Sequence, residues 1–162
     1  MPCQDSDMAL QVNDFVSPFT LSDASGKTWT FPTDAFRFAV LYFYPKDNST
    51  GCTAEAKDFS ALLPEFSRLD TQVFGVSPDS AASHRKFTEK QELSVTLLSD
   101  PEKTVIGAFG VWVKKKLYGR EYMGVERSTF VIDSTGKILA AWDKVKVKGH
   151  AEEVLQKIQT LV

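Results

Sequence analysis

The stretch Phe38-Ala39-Val40-Leu41-Tyr42-Phe43-Tyr44 is apolar along its whole length and rich in aromatic side chains. A run of this length with no outward-facing polar residue suits a strand buried on both faces. The residues after it set the architecture. Pro45 closes the run, and Lys46-Asp47-Asn48-Ser49-Thr50-Gly51 is a polar turn that offers Ser49 or Thr50 as a helix N-cap. Cys52, Ala56, Phe59, Leu63 and Phe66 then recur at spacings of four and three, which puts them on one helix face. Pro64 falls inside that pattern and is expected to kink or restart the helix. Val73-Phe74-Gly75-Val76 reads as a second buried strand. Ser77-Pro78 supplies a cap with proline at the first helical position, opening a helix near 79–92. Strand, helix, strand, helix in succession gives a parallel βαβ core with a right-handed crossover.

The remaining segments extend this core. Leu97-Leu98 is a short strand, and Asp100-Pro101-Glu102 starts a short helix through Ala108. Ser128–Ile132 and Ile138–Trp142 flank Asp133-Ser134-Thr135-Gly136, which reads as a hairpin turn. Residues 150–161 form an amphipathic helix with Val154, Leu155, Ile158 and Leu161 on one face. Thr28–Phe31 belongs to an N-terminal hairpin, and residues 1–10 form a loose leader. A βαβ unit followed by a ββα unit is the thioredoxin-like α/β arrangement. Here it carries an N-terminal hairpin and an inserted helix, and the 162 residues are expected to form one domain.

Charge and composition exclude several classes. The 19 Lys+Arg residues face 21 Asp+Glu, a net charge of −2, without the basic excess of a nucleic-acid binder. No run approaches the ~18 apolar residues of a membrane span. Met1–Leu10 contains Asp5 and Asp7 and no apolar centre, so no signal peptide is expected and the location is expected to be cytoplasmic. Cys3 and Cys52 could form one bridge at most. In a reducing compartment a thiol is catalytic or inert more often than structural. His84 and His150 are too few and too separate for a metal signature and are expected on helix surfaces or near helix ends. No glycine-rich phosphate loop or nucleotide fingerprint is present, and no cofactor or metal is expected. Lys114-Lys115-Lys116 and Lys144–Lys148 read as solvated faces, and Trp112 and Trp142 as packing residues.

Cys52 is the candidate for chemistry. It follows the carboxyl end of the first core strand and opens the first helix, where open α/β sheets place their ligand crevices. Helix N-terminal N–H groups and the dipole favour an anion there, and the thiolate is the nucleophilic form of cysteine. The competing reading is a small, inert core residue, because free cysteine is among the most buried residue types.

The sequence Pro45-Lys46-Asp47-Asn48-Ser49-Thr50-Gly51-Cys52 resembles the signature of the peroxiredoxins: proline, three residues, Thr or Ser, two residues, cysteine. Leu41–Asp47, Gly51–Glu55, Val76–Ser80, Leu98-Ser99-Asp100, Met123–Asp133 and Trp142–Leu155 resemble the subgroup called PrxQ or bacterioferritin comigratory protein. The likeness runs in order over residues 12–160. It implies a thiol-dependent peroxidase that reduces hydrogen peroxide and organic hydroperoxides through a sulfenic acid on Cys52. By the same resemblance Arg127, in Glu126-Arg127-Ser128-Thr129-Phe130, stabilises the thiolate and polarises the peroxide. Ser49 presents a hydroxyl to the peroxide, Pro45 walls the pocket without an N–H, and Thr50 and Gly51, with Glu55, are the expected substrate-binding or supporting residues. Glu55, one turn after Cys52, either orients that arginine or serves the first helical turn through the dipole.

The chain departs from the subgroup at the residues that resolve the sulfenic acid. The usual second cysteine, five residues after the first, is Lys57 here, and the other usual position, in the next helix, matches Thr88. The family's proline before Gly-Cys is Thr50. Two routes remain open. An external thiol (thioredoxin, glutaredoxin or glutathione) resolves Cys52 in a one-cysteine mechanism, or Cys3 reaches it from the leader. A monomer is expected. A non-enzymatic redox sensor, oxidised slowly at Cys52, is the alternative function, and turnover with a thiol reductant separates the two.

Overall fold

The computed structural model describes residues 9–162, so Cys3 and most of the expected leader lie outside the described residues. Ala9 and Leu10, expected to be loose, are half-buried. The Leu10 N–H donates to the Phe109 carbonyl at 3.0 Å, and both side chains pack on the core.

The order is β1 (Phe19–Asp23), β2 (Thr28–Phe31), β3 (Phe38–Phe43), α1 (Thr50–Arg68), β4 (Thr71–Ser77), α2 (Ala81–Gln91), β5 (Thr96–Ser99), α3 (Thr104–Ala108), β6 (Trp112–Leu117), β7 (Arg120–Val125), β8 (Ser128–Asp133), β9 (Ile138–Trp142) and α4 (His150–Leu161). Seven strands form one sheet in the order β2-β1-β5-β4-β3-β8-β9, and β6 and β7 form a separate hairpin. β3 is parallel to β4 and antiparallel to β8. It is therefore an interior strand, and all six of its residues are buried. Pleating sends Phe38, Val40 and Tyr42 to one side, against Phe59 and Phe66 of α1 and Val154 and Ile158 of α4. Ala39, Leu41 and Phe43 face Phe31, Phe74, Phe109 and Phe130 on the other. The βαβ core, both expected hairpins and the C-terminal helix stand where the sequence puts them.

Three boundaries and one element differ. α1 runs through Pro64 without a restart. Pro64 sits on the exposed side, where one missing helix hydrogen bond costs least. α2 is capped by Ser80, whose hydroxyl accepts the Ser83 N–H at 3.1 Å. Ser77 cannot take that role because β4 continues through it and pairs it with Ser99. α3 begins at Thr104 rather than at Asp100, after a turn in which the Asp100 carboxylate accepts the Ile106 N–H at 2.8 Å. The β6–β7 hairpin was not expected. Its two-residue turn, Tyr118-Gly119, has φ of 52° and 79°, as this tight connection requires.

Candidate active site

Cys52 lies in the first turn of α1, just beyond the carboxyl end of β3, and is 1% exposed. Ser49 is the N-cap. Its hydroxyl accepts the Cys52 N–H at 3.4 Å and donates to the Lys46 carbonyl at 3.3 Å. That bond ties the hydroxyl to the cysteine it precedes by three residues, the geometry of a helix cap. Pro45 is half-buried at the end of the run through Tyr44, and Thr50 is exposed at the first position of α1. Gly51 faces Arg127: a Cβ there would lie 3.2 Å from Arg127 Nη2, so the missing side chain makes room for the guanidinium.

Arg127 reaches this helix start from the residue before β8. Nη2 donates to Cys52 Sγ at 3.3 Å, and Nη1 donates to Glu55 Oε1 at 2.6 Å. It pairs with neither Glu126 nor Asp133, the partners an ordinary surface arginine would find beside it in sequence. Burial alone would pull the arginine's pKa down, but the charges of Glu55 and Cys52 hold it above its usual value. Glu55 is 1% exposed, and burial pushes it up to about 7 against the pull of the Arg127 charge and hydrogen bond. Among the described residues neither Glu55 Oε2 nor the Tyr42 hydroxyl, both buried, has a hydrogen-bond partner. Burial, then the negative charges of Glu55 and Cys52, hold the Tyr42 phenol well above its ordinary range. The arrangement is a cysteine sulfur at a helix N-terminus, under a cation whose fork is fixed by a buried carboxylate. It can stabilise an anionic sulfur and polarise an oxygen placed against it.

Residues 12–141 match the AhpC/TSA family. The chain belongs to that family. It is 44% identical to peroxiredoxin Bcp of Bacillus subtilis, over 95% of this chain and 98% of that protein. The structure of a cysteine-to-serine variant of Xylella fastidiosa PrxQ is 38% identical and superposes with a TM-score of 0.89, covering 94% of this chain and 98% of that one. A Xanthomonas campestris bacterioferritin comigratory protein, whose structures concern alkyl peroxide reduction, is 40% identical with a TM-score of 0.84, covering 91% and 98%. The fold is thus that of the thioredoxin-like peroxiredoxins, and the protein is an enzyme of the Bcp/PrxQ group.

Behind the cysteine this peroxiredoxin has a buried polar network that the sequence did not reveal. Asp47, in the loop before α1, is 5% exposed. Its carboxylate accepts the Tyr44 hydroxyl at 2.7 Å, the Ser83 hydroxyl at 2.7 Å and His84 Nδ1 at 2.8 Å. His84 Nε2 faces the Leu98 carbonyl at 3.0 Å. Both ring nitrogens therefore have hydrogen-bond partners, which satisfies the buried imidazole. The Asp47 N–H donates to Asp79 Oδ2 at 2.8 Å. These bonds tie the loop carrying Ser49 to α2. Asp47, Asp79 and His84 offer metal-ligand atoms within 4.8 Å of one another, but Asp47 and His84 spend theirs on each other.

The histidines were expected on helix surfaces or near helix ends; His150 does stand at the start of α4, but neither side chain is on the surface. His84 is fully buried because Asp47 and Leu98 satisfy it. His150 is 3% exposed at the start of α4, with Nε2 2.8 Å from the Thr129 hydroxyl, between the Phe59 and Trp142 rings. The Lys114–Lys116 face is also corrected at its centre, since Lys115 is half-buried while its neighbours are exposed.

Proposed function

We propose that the protein reduces hydrogen peroxide and small organic hydroperoxides with the Cys52 thiolate as nucleophile. The sulfur attacks the nearer peroxide oxygen, the O–O bond breaks, and the farther oxygen leaves as hydroxide or alkoxide and takes a proton. Cys52 becomes a sulfenic acid. The observation that carries this is Arg127, held by Glu55 and donating to Cys52 Sγ at 3.3 Å. In this reading its remaining donors and the Cys52 N–H polarise the peroxide. Ser49 holds the helix start and offers its hydroxyl, Pro45 shields the approach, and Gly51 leaves space for the guanidinium.

Resolution falls to an external thiol of the thioredoxin, glutaredoxin or glutathione kind. Lys57 and Thr88 occupy the positions where the subgroup's second cysteine is expected, which supports a one-cysteine cycle in a reducing, cytoplasmic setting. Cys52, Glu55 and Arg127 all come from one chain, so a monomer suffices for the site. The test is intact mass after one equivalent of hydrogen peroxide, with and without a sulfenic-acid trap. A trappable single-oxygen adduct, lost in Cys52→Ser, is expected. Loss of two hydrogens with a Cys3–Cys52 cross-link would make Cys3 the resolving residue, and no prompt change would overturn the peroxidase reading.

A further inference from the structure

His150 meets both halves of the site from behind. It opens α4 after Gly149, whose φ of 75° turns the chain into the helix. Its Nε2 lies 2.8 Å from the hydroxyl of Thr129, and both side chains are buried. Thr129 is the second residue of β8 and follows Arg127 by two. The imidazole also meets the Phe59 ring edge-on, with centroids 6.1 Å apart and planes at 89°. Phe59 stands on α1 two turns after Cys52, on the same buried face. One side chain thus touches the strand that follows Arg127 and the helix that carries Cys52. The loop before α4 adds a second tie, because the Val145 N–H donates to the Arg127 carbonyl at 2.9 Å. Val145 holds the backbone of Arg127, and His150 holds the strand just beyond it.

The guanidinium tip is held by Glu55, which belongs to α1, while the arginine's backbone enters β8. The contact from Nη2 to Sγ at 3.3 Å therefore depends on how β8 sits against α1. A hydrogen bond fixes distance and direction, whereas the apolar contacts of Phe59 and Trp142 around it are non-directional. We propose that His150 is a positioning residue for the Cys52–Arg127 contact: through the Thr129 hydroxyl it sets β8 against α1 so that the guanidinium meets the sulfur. The proposal rests on the peroxidase reading above. His150 acts through Thr129 and takes no part in the bond changes. General support of the fold is the competing account, and the two differ in what happens when both partners of the hydrogen bond are removed.

The test compares Thr129→Val and His150→Leu, which remove the hydrogen bond, with Thr129→Ser and His150→Gln, which keep a group able to make it. Two rates are read well below the melting temperature. One is oxidation of Cys52 by hydrogen peroxide, by rapid quench and intact mass. The other is alkylation of Cys52 by iodoacetamide against pH, by peptide mass. Thr129→Val and His150→Leu are each expected to slow oxidation about tenfold. Their alkylation profiles should move to higher pH as the thiolate loses its donor. Thr129→Ser and His150→Gln should return most of the rate. In the double variant Thr129→Val/His150→Leu neither buried partner is left unpaired, so thermal stability should recover relative to the single variants. Its oxidation rate should stay as low as theirs, because all three lack the same contact. A rate that returns together with stability overturns the proposal and leaves His150 as support for the fold. So does a wild-type oxidation rate and alkylation profile in Thr129→Val, which exchanges a hydroxyl for a methyl and decides the question if His150→Leu does not fold. Failure of the wild type to be oxidised is a separate result, seen before any variant is compared, and removes the peroxidase reading. The alkylation profile needs no peroxide and then upholds or overturns the positioning by itself.

Discussion

Arg127 divides its guanidinium between Cys52 and Glu55, with Nη2 3.3 Å from the sulfur and Nη1 2.6 Å from the carboxylate. Two donors in a planar fork make both contacts at once, which a lysine ammonium on a flexible stem cannot reproduce. Arg127→Ala is expected to slow oxidation of Cys52 by peroxide about a hundredfold or more, the loss typical of removing a preorganised charged donor. Its pH–rate profile should move to higher pH. Arg127→Lys should recover little of the loss. Stopped-flow tryptophan fluorescence against peroxide concentration measures both variants, and an unchanged profile in Arg127→Ala would count against the role.

Gly51 tests the same contact without touching charge. The Cβ of an alanine would sit 3.2 Å from Arg127 Nη2, closer than most real Cβ contacts, and the guanidinium would have to give way. The position lies inside α1, where alanine is a better helix former than glycine. Gly51→Ala should therefore keep or raise thermal stability while lowering the peroxide rate about tenfold through misplacement of the donor. Thermal melts paired with peroxide kinetics check this. A normal rate would mean that Arg127 adjusts freely.

Glu55 predicts a pH effect on stability. Burial raises it from 4.5 to about 7, so between those values the folded state holds a proton that the unfolded state has released. The contribution of Glu55 to stability is thus fullest below 4.5 and is lost as pH rises through about 7. Glu55→Gln removes this dependence. In urea titrations from pH 5 to 7.5, the stability of the wild type relative to Glu55→Gln is expected to fall as pH rises. A constant difference would place the proton elsewhere.

Much of this was legible because it is local. The Phe38–Tyr44 run marks its own burial, and the spacing from Cys52 to Phe66 marks a helix face without reference to the rest of the chain. Cys52 and Ser49 share a helix start, so their proximity follows from the cap. Arg127 is 75 residues from Cys52, and only resemblance to a family could bring it there. The buried pair Asp47 and His84 was hidden for a similar reason. α2 is largely polar, and nothing within it indicates that His84 meets a carboxylate 37 residues away. The β6–β7 hairpin was missed because its lysines mask the alternation, although Tyr118-Gly119 is a recognisable two-residue turn.

The Asp47–His84 pair carries the last prediction. Burial pushes the Asp47 pKa up, but the hydrogen bond and charge of His84, with the Tyr44 and Ser83 hydroxyls, outweigh it and hold the carboxyl below its usual value. A depressed carboxylate adds stability above the unfolded value of 3.8 and loses it as pH falls through its own lower value. Asp47→Ala leaves His84 Nδ1 and the Tyr44 and Ser83 hydroxyls without this carboxylate. Breaking a buried pair from one side costs about 3–5 kcal/mol, and the variant should also lose the acid-dependent part of the stability curve. Because Asp47 lies two residues before the cap Ser49, the loop is expected to loosen with it. Amide hydrogen exchange across residues 46–53 should rise in Asp47→Ala before global unfolding, while exchange in the β8–β9 hairpin stays slow. Uniform exchange across both regions would show the network to be global support rather than a tether for the helix start.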